Sequence, residues 1–291
     1  MKKTITLADA TLKHAEALAK ITNKSSSEII DSAINKAIQN NFKPPLLVLQ
    51  MGKVGSSSIV NALIRSDRWH IVHIHHMNEK RVGTIWRRNI ERGQEHPPNL
   101  MASRALLDWL PTYSEKIEIV SAVRDPMARN LSAFYENAGN FLTIRKNNIS
   151  ESPQETAQIF LKKYRHANAL DWFDANLKKT FGLDVYKKPF NHTANRLVMQ
   201  NKRGRLIILR AEDSDESKIK NISRHLNLSN VTLERDNDAT QKFYADHYKQ
   251  VKSLITVPEG LLDQIYGSRL ARHFYTENEL ADFRKKWLRL P

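Results

Sequence analysis

The stretch Leu46-Leu47-Val48-Leu49-Gln50-Met51-Gly52-Lys53-Val54-Gly55-Ser56-Ser57-Ser58-Ile59-Val60-Asn61-Ala62-Leu63 decides the fold. Its first five residues are a nearly continuous apolar run, as a central strand buried on both faces requires. A glycine-containing turn follows, and Ile59 to Leu63 continue as a helix. Strand, turn and helix N-terminus in that order make an anion cradle, because unsatisfied backbone N–H groups and the positive end of the helix dipole converge there. Lys53 adds a mobile point charge, and Ser56, Ser57 and Ser58 add hydroxyl donors. The competing reading is a serine-rich turn that only caps its helix.

Working outward, strand-like runs recur at Ile71 to His75, Ile117 to Val123 and Leu206 to Leu209, with helical stretches between them. That alternation predicts an α/β fold with a mainly parallel sheet flanked by helices in three layers. The Ile117 run ends at Arg124-Asp125-Pro126, where Asp125 can cap a helix over Met127 to Asn137 with Pro126 at its first position. Leu131, Phe134 and Tyr135 then form a packing stripe. Arg124 falls at the strand's carboxyl end, where ligands of open α/β sheets bind, and Ser132 lies about two turns into the helix. A guanidinium grips phosphate oxygens bidentately and a hydroxyl supplies a neutral donor. Arg129 either pairs with a carboxylate or caps carbonyls.

Composition narrows the chemistry. The 291 residues contain no Cys, which excludes disulfides, thiol nucleophiles and thiolate metal sites. Lys and Arg number 46 against 31 Asp and Glu, a net +15 that favours polyanionic partners. No apolar run approaches the roughly 18 residues of a membrane span, and the N-terminus lacks a secretory layout, so the expectation is a soluble, cytoplasmic chain. Trp69-His70-Ile71-Val72-His73-Ile74-His75-His76 places four His in seven residues on a strand and its exit. Strand alternation sends His73 and His75 to one face. A shared metal ion is one reading, but with only Glu79 nearby as a carboxylate the expectation is no metal. Core packing or a surface strand accounts for His70 and His73.

Residues 1–42 read as a separate module, joined to residues 43–291 through the Pro-stiffened stretch Asn40 to Pro45. Lys2 to Leu7 alternates with the strand period, Asp9 can cap a helix through about Thr22, and Ser25 with Glu28 makes a capping box for a second helix. This strand-helix-helix, with Ser27-Glu28-Ile29-Ile30, resembles a ribbon-helix-helix module. The resemblance implies a homodimer with strands paired across a two-fold axis, and Lys2, Thr4 and Thr6 as the positions that would read DNA. A helical hairpin used only for docking or dimerisation is the alternative.

A nucleotide-triphosphatase P-loop needs Lys after its last Gly, whereas Lys53 precedes Gly55. Lys-Val-Gly-Ser-Ser-Ser after a buried strand instead resembles the 5′-phosphosulfate loop of sulfotransferases that use 3′-phosphoadenosine 5′-phosphosulfate (PAPS). Arg124 through Phe134 resembles the 3′-phosphate signature of the same family, with Arg124 and Ser132 in its Arg and Ser positions. The resemblance implies a P-loop-like core, PAPS as donor, no metal, and a cofactor site of Lys53, Val54, Gly55, Ser56, Ser57, Ser58, Arg124 and Ser132. His76-Met77 resembles the family's His-Leu step, implying His76 as the base that takes the acceptor proton, with His75 second and Lys53 stabilising the leaving phosphate.

Leu206 to Asp213 resembles the later strand and acidic turn of carbohydrate sulfotransferases, with Ala211 where they usually carry Tyr. Ile265-Tyr266, His273-Phe274-Tyr275 and Trp287 are similar to bacterial capsular polysaccharide synthesis proteins. The expected reaction is sulfuryl transfer to a hydroxyl acceptor, a glycan or polysaccharide precursor. Two alternatives stand beside it: a P-loop kinase or nucleotide-binding enzyme, and a ribbon-helix-helix DNA-binding regulator with a nucleotide-sensing domain.

Overall fold

The structure, a computed structural model, describes residues 13, 15–17, 19, 25–30, 43–55, 57–229, 232–233 and 242–289. The chain divides into two units, Met1–Pro44 and Pro45–Pro291. In the first, the expected capping box is present: the Ser25 hydroxyl accepts from the Glu28 N–H at 3.2 Å, and the Glu28 carboxylate accepts from the Ser25 N–H at 2.8 Å. Lys2, Thr4, Thr6 and Asp9 lie outside the described residues.

The second unit is α/β. Its main sheet has five strands in the order β2 (His70–Ile74), β1 (Pro45–Leu49), β3 (Ile117–Val123), β7 (Gly204–Arg210), β6 (Leu197–Gln200). The first four run parallel, and β6 closes one edge antiparallel to β7. A small ribbon, β4 (Ile144–Arg145) with β5 (Asn148–Ile149), stands apart from this sheet.

Every residue of β1 is buried, and strand alternation explains how. Leu47 and Leu49 face a large core with Met127, Leu131 and Phe134 of α4 (Pro126–Glu136). Leu46 and Val48 face a second core with Ile59, Val60 and Leu63 of α1 (Ser57–Arg65) and with Ile222 and Leu226 of α7 (Asp215–Leu226). A sheet covered on both sides leaves its carboxyl edge as the place where chemistry can reach solvent. Strand order reverses between β1 and β3, which hydrogen-bond directly with Val48 opposite Val120. In open α/β sheets the usual ligand position lies beyond the carboxyl ends of the strands at such a reversal.

The chain after β2 forms α2 (Glu79–Glu91) and α3 (Pro98–Trp109); after α4 and the ribbon come α5 (Pro153–Lys163) and the three-residue α6 (Lys179–Phe181). After α7, the helices α8 (Ala245–Leu254), α9 (Glu259–Tyr266), α10 (Arg269–Phe274) and α11 (Glu277–Leu288) complete the unit. Asp125 anchors them. Its Oδ1 accepts from the Tyr266 hydroxyl of α9 at 2.8 Å and its Oδ2 from Trp287 Nε1 of α11 at 3.2 Å, while Oδ1 also caps α4 through the Met127 N–H. Among the described residues no helix is long and apolar enough to cross a membrane.

Candidate functional site

The loop after β1 is pinned from inside. Met51 and Val54 are buried, and Gly52, Lys53 and Gly55 form its outer rim. Lys53 and Gly55 take left-handed backbone conformations, with φ of 73° and 77°. For Lys53 that conformation costs roughly 1 kcal/mol, so something must hold it. Two arginines from α4 and its approach do so. Arg124 Nη1 donates to the Lys53 carbonyl and Arg129 Nε to the Gly52 carbonyl, each at 3.0 Å. The two sequence motifs, 71 residues apart at this contact, are therefore in direct touch. A Cβ added at Gly52 or Gly55 would meet nothing within 4 Å, so this rim borders open space. Ser57 opens α1, and Ser58 follows it half-buried; Ser56 lies outside the described residues.

The Lys53 ammonium bonds Glu136 Oε2 at 3.0 Å, and the same oxygen accepts from Lys242 Nζ and the Tyr244 hydroxyl. Burial raises the Glu136 carboxyl, but its hydrogen bonds from Lys242, Lys53 and Tyr244 outweigh that and hold it at about 2. Lys53 is lowered instead, because burial outweighs its share of a carboxylate divided among three donors. Glu136 ends α4, 83 residues from Lys53. No local pattern in the sequence points to this pairing, nor to Lys242 and Tyr244.

Arg129 also reaches Asn130 Oδ1 at 3.2 Å and the Tyr164 hydroxyl at 3.3 Å. Of its two sequence readings, capping a carbonyl is the one observed. Ser132 lies half-buried on the second turn of α4, with no side-chain hydrogen bond among the described residues. The Leu206 strand ends at the same carboxyl edge. Glu212 Oε1 accepts the Asp125 N–H at 2.8 Å, and the Tyr275 hydroxyl donates to its other oxygen at 2.9 Å. Burial holds the Glu212 carboxyl above its usual range, in keeping with a structural tie.

The histidines line up along the exit of β2. His73 and His75 face each other edge-on with ring centroids 5.0 Å apart, and both reach Gln50 at the exit of β1. His75 Nδ1 lies 3.1 Å from the Gln50 carbonyl. A carbonyl only accepts, so Nδ1 carries the proton, and in the neutral ring Nε2 keeps its lone pair. Trp172 Nε1 donates to the His75 carbonyl at 2.9 Å and fixes the backbone as well. Burial lowers the His75 pKa; Arg129 and Lys53 lower it further against the Gln50 carbonyl. His76 is held at about 3 by burial, then by Arg81, His75 and Arg129. His73 is held at about 4 by burial and His75. All three rings are thus neutral near pH 7, and Arg129 and Lys53 put the exit of β2 within electrostatic reach of the anion loop. His70 is exposed at the start of the strand.

Beyond Met77 lies a cavity of about 360 Å³, with Met77 and Leu107 in its apolar lining and Lys80, Lys179, Arg203 and the carboxylate Glu79 as its charged groups. Among the described residues no group of three or more His, Asp or Glu could hold a metal ion.

The arrangement thus gathers Lys53, Arg124 and Arg129 at one loop, with neutral imidazoles at the neighbouring strand exit. Residues 142–276 match the family described as "Putative capsular polysaccharide synthesis protein" (NKWYS). The match covers the Leu206 to Asp213 and Ile265 to Tyr275 stretches and begins after the two anion motifs. No curated protein and no solved structure gave a match.

Proposed function

We propose that the chain is a PAPS-dependent sulfotransferase acting on a hydroxyl of a glycan or polysaccharide precursor. The observation that carries this reading is the bond from Arg124 to the Lys53 carbonyl, at the point where strand order reverses. A donor with a charged group at each end of its nucleoside needs two cation sites on one rim, and a nucleoside triphosphate needs only one. The donor set suits this: loop amides and Lys53 for the 5′ end, Arg124 and Ser132 for the 3′ phosphate. The polysaccharide family matched over residues 142–276 supports the acceptor class.

When bound, PAPS supplies a sulfuryl group that passes in line to the acceptor oxygen, with the adenosine bisphosphate as leaving group. Lys53 and the N-terminus of α1 stabilise negative charge at the 5′ end. A neutral histidine takes the acceptor proton: His76 by resemblance to the family, or His75 by its fixed tautomer, whose Nε2 lone pair is free. Arg129, which depresses both rings, keeps the loop carbonyl oriented. Negative charge arriving beside Arg129 offsets that depression and strengthens the base.

The test is thermal stabilisation by adenosine 3′,5′-bisphosphate without Mg²⁺, followed by transfer from radiolabelled PAPS to saccharides. Lys53→Ala and Arg124→Ala should each weaken nucleotide binding about tenfold or more. One of His75→Ala and His76→Ala should keep binding and lose transfer. Stabilisation that requires Mg²⁺ and a triphosphate would instead establish the kinase reading. Operator binding through the first unit would establish the regulator reading.

A further inference from the structure

The half-buried His76 ring makes no hydrogen bond to any described residue, so it takes its direction from its backbone. Both peptide planes that flank its Cα are held from outside. Trp172 Nε1 donates to the His75 carbonyl at 2.9 Å, which fixes the plane before His76. Asn176 Oδ1 accepts from the Met77 N–H at 2.7 Å, which fixes the plane after it, and from the Asn78 N–H at 3.2 Å. The Thr180 hydroxyl donates to the Met77 carbonyl at 2.8 Å. Asn78 caps α2 with its own side chain through the Arg81 N–H. Capping α2 therefore uses Asn78, whereas the bonds at His75 and Met77 act on the residue between them.

All the holding groups come from one helical segment. Trp172, Asn176 and Thr180 stand four residues apart. In a regular α-helix that spacing drifts by about 40° around the axis at each step. The stretch Asp174–Lys178 is instead π-helical, with the Lys179 N–H bonded to the Asp174 carbonyl. A turn closed by such bonds is wider, so four residues fall short of a full turn and the drift reverses there. The three side chains consequently meet the same short segment, His75 to Asn78. Asn176 Nδ2 donates to the Trp172 carbonyl at 2.8 Å, which joins the two buried residues into one clamp. A π-helical turn is rare in proteins and is found mostly at functional sites. Trp172, Asn176 and Thr180 all fall within residues 142–276, so the stretch that matches the polysaccharide-synthesis family reaches the exit of β2.

We propose that Trp172 and Asn176 are positioning residues for the acceptor base, holding the two peptide planes of His76 so that its ring stays where the acceptor proton is taken. This rests on the reading given under Proposed function and favours His76 over His75, whose ring has its own anchor on the Gln50 carbonyl. Displacing a reacting group by about 1 Å costs on the order of 100-fold in rate.

Transfer from radiolabelled PAPS to the saccharide that wild type accepts tests it, with calorimetry of adenosine 3′,5′-bisphosphate on the same full-length chains. Trp172→Phe keeps an apolar ring and removes the donor, so it should fold; Asn176→Ala removes both acceptor bonds. Each should lower kcat about 10- to 100-fold, while KM for PAPS and bisphosphate affinity stay within about twofold. An unchanged binding stoichiometry shows that the chains are folded, and if Asn176→Ala does not fold, Trp172→Phe decides. In the His76→Ala background Trp172→Phe should have no further effect on the transfer that remains. A loss of the same size in that background, or wild-type kcat in Trp172→Phe, overturns the inference and leaves the functional reading standing. Bisphosphate binding weakened in step with kcat would show a general structural tie and also overturn it. A wild type that transfers to no saccharide overturns the functional reading and this inference together.

Discussion

His76 shows what the site costs the fold. In the native chain its ring stays neutral down to about pH 3, whereas in the unfolded chain it protonates at about 6.5. Between those values the unfolded state binds more protons, so stability falls as pH falls, by up to about 1.4 kcal/mol per pH unit for this one group. His73 and His75 are depressed in the same sense. Between pH 6.5 and 5 most carboxylates remain ionised in both states; Glu212, raised by burial, acts in the opposite sense to the histidines, and the three histidines outnumber it. Urea unfolding at pH 7, 6 and 5 should therefore show declining stability, and His76→Gln should flatten the decline. A wild-type chain equally stable at pH 7 and pH 5 would mean these rings are not buried neutral. Lys53 carries a related tension, since its ammonium is shared with a carboxylate that two other donors also hold. Glu136 thus keeps a second cation, Lys242, at the rim of the anion loop.

At the scale of elements, the loop between β1 and α1 makes the sharpest distinction between a capped turn and a ligand cradle. A methyl at Gly52 would touch no protein atom, and its backbone needs no left-handed conformation. Gly52→Ala should therefore leave the melting temperature within about 1 °C of wild type. If the open side of the loop receives the donor, the same methyl should cut bisphosphate affinity tenfold or more in calorimetry. Unchanged affinity would move the ligand away from this rim. β1, β3 and β7 were legible from sequence because each carries an apolar run, β2 because apolar residues and histidines alternate along it, and α4 because Asp125-Pro126 spells a helix start. β6 was not, because it has four residues, sits at an edge and is buried at only one of them, so no periodicity accumulates. Arg124 and the histidines were legible as candidates from where they fall on strands. Glu136, Lys242 and Tyr244 were not. Their roles arise from contacts between elements distant in sequence, and single charges on helices read as solvated surface.

For the whole molecule, the surplus of 15 positive charges sets how the site meets its ligands. Part of that surplus is local: Arg124, Arg129, Lys53, Lys242, Lys252 and Lys286 gather near the carboxyl edge of β1 and β3, with Glu136, Glu212 and Asp125. Cations outnumber carboxylates there, six against three, so the net charge at this edge is positive and draws anions in. Charges held a few ångströms from a bound nucleotide are screened little by salt, whereas the field that steers its approach decays within about 10 Å at 0.1 M ionic strength. Raising NaCl from 0.05 to 0.5 M should therefore slow association of the bisphosphate by about tenfold in stopped-flow measurements while its dissociation rate changes about twofold or less. Adenosine 5′-phosphate, with half the charge, should lose less in association. If instead dissociation accelerated and association held steady, the cations would be acting as weak surface contacts, and this edge would have no net attraction of its own.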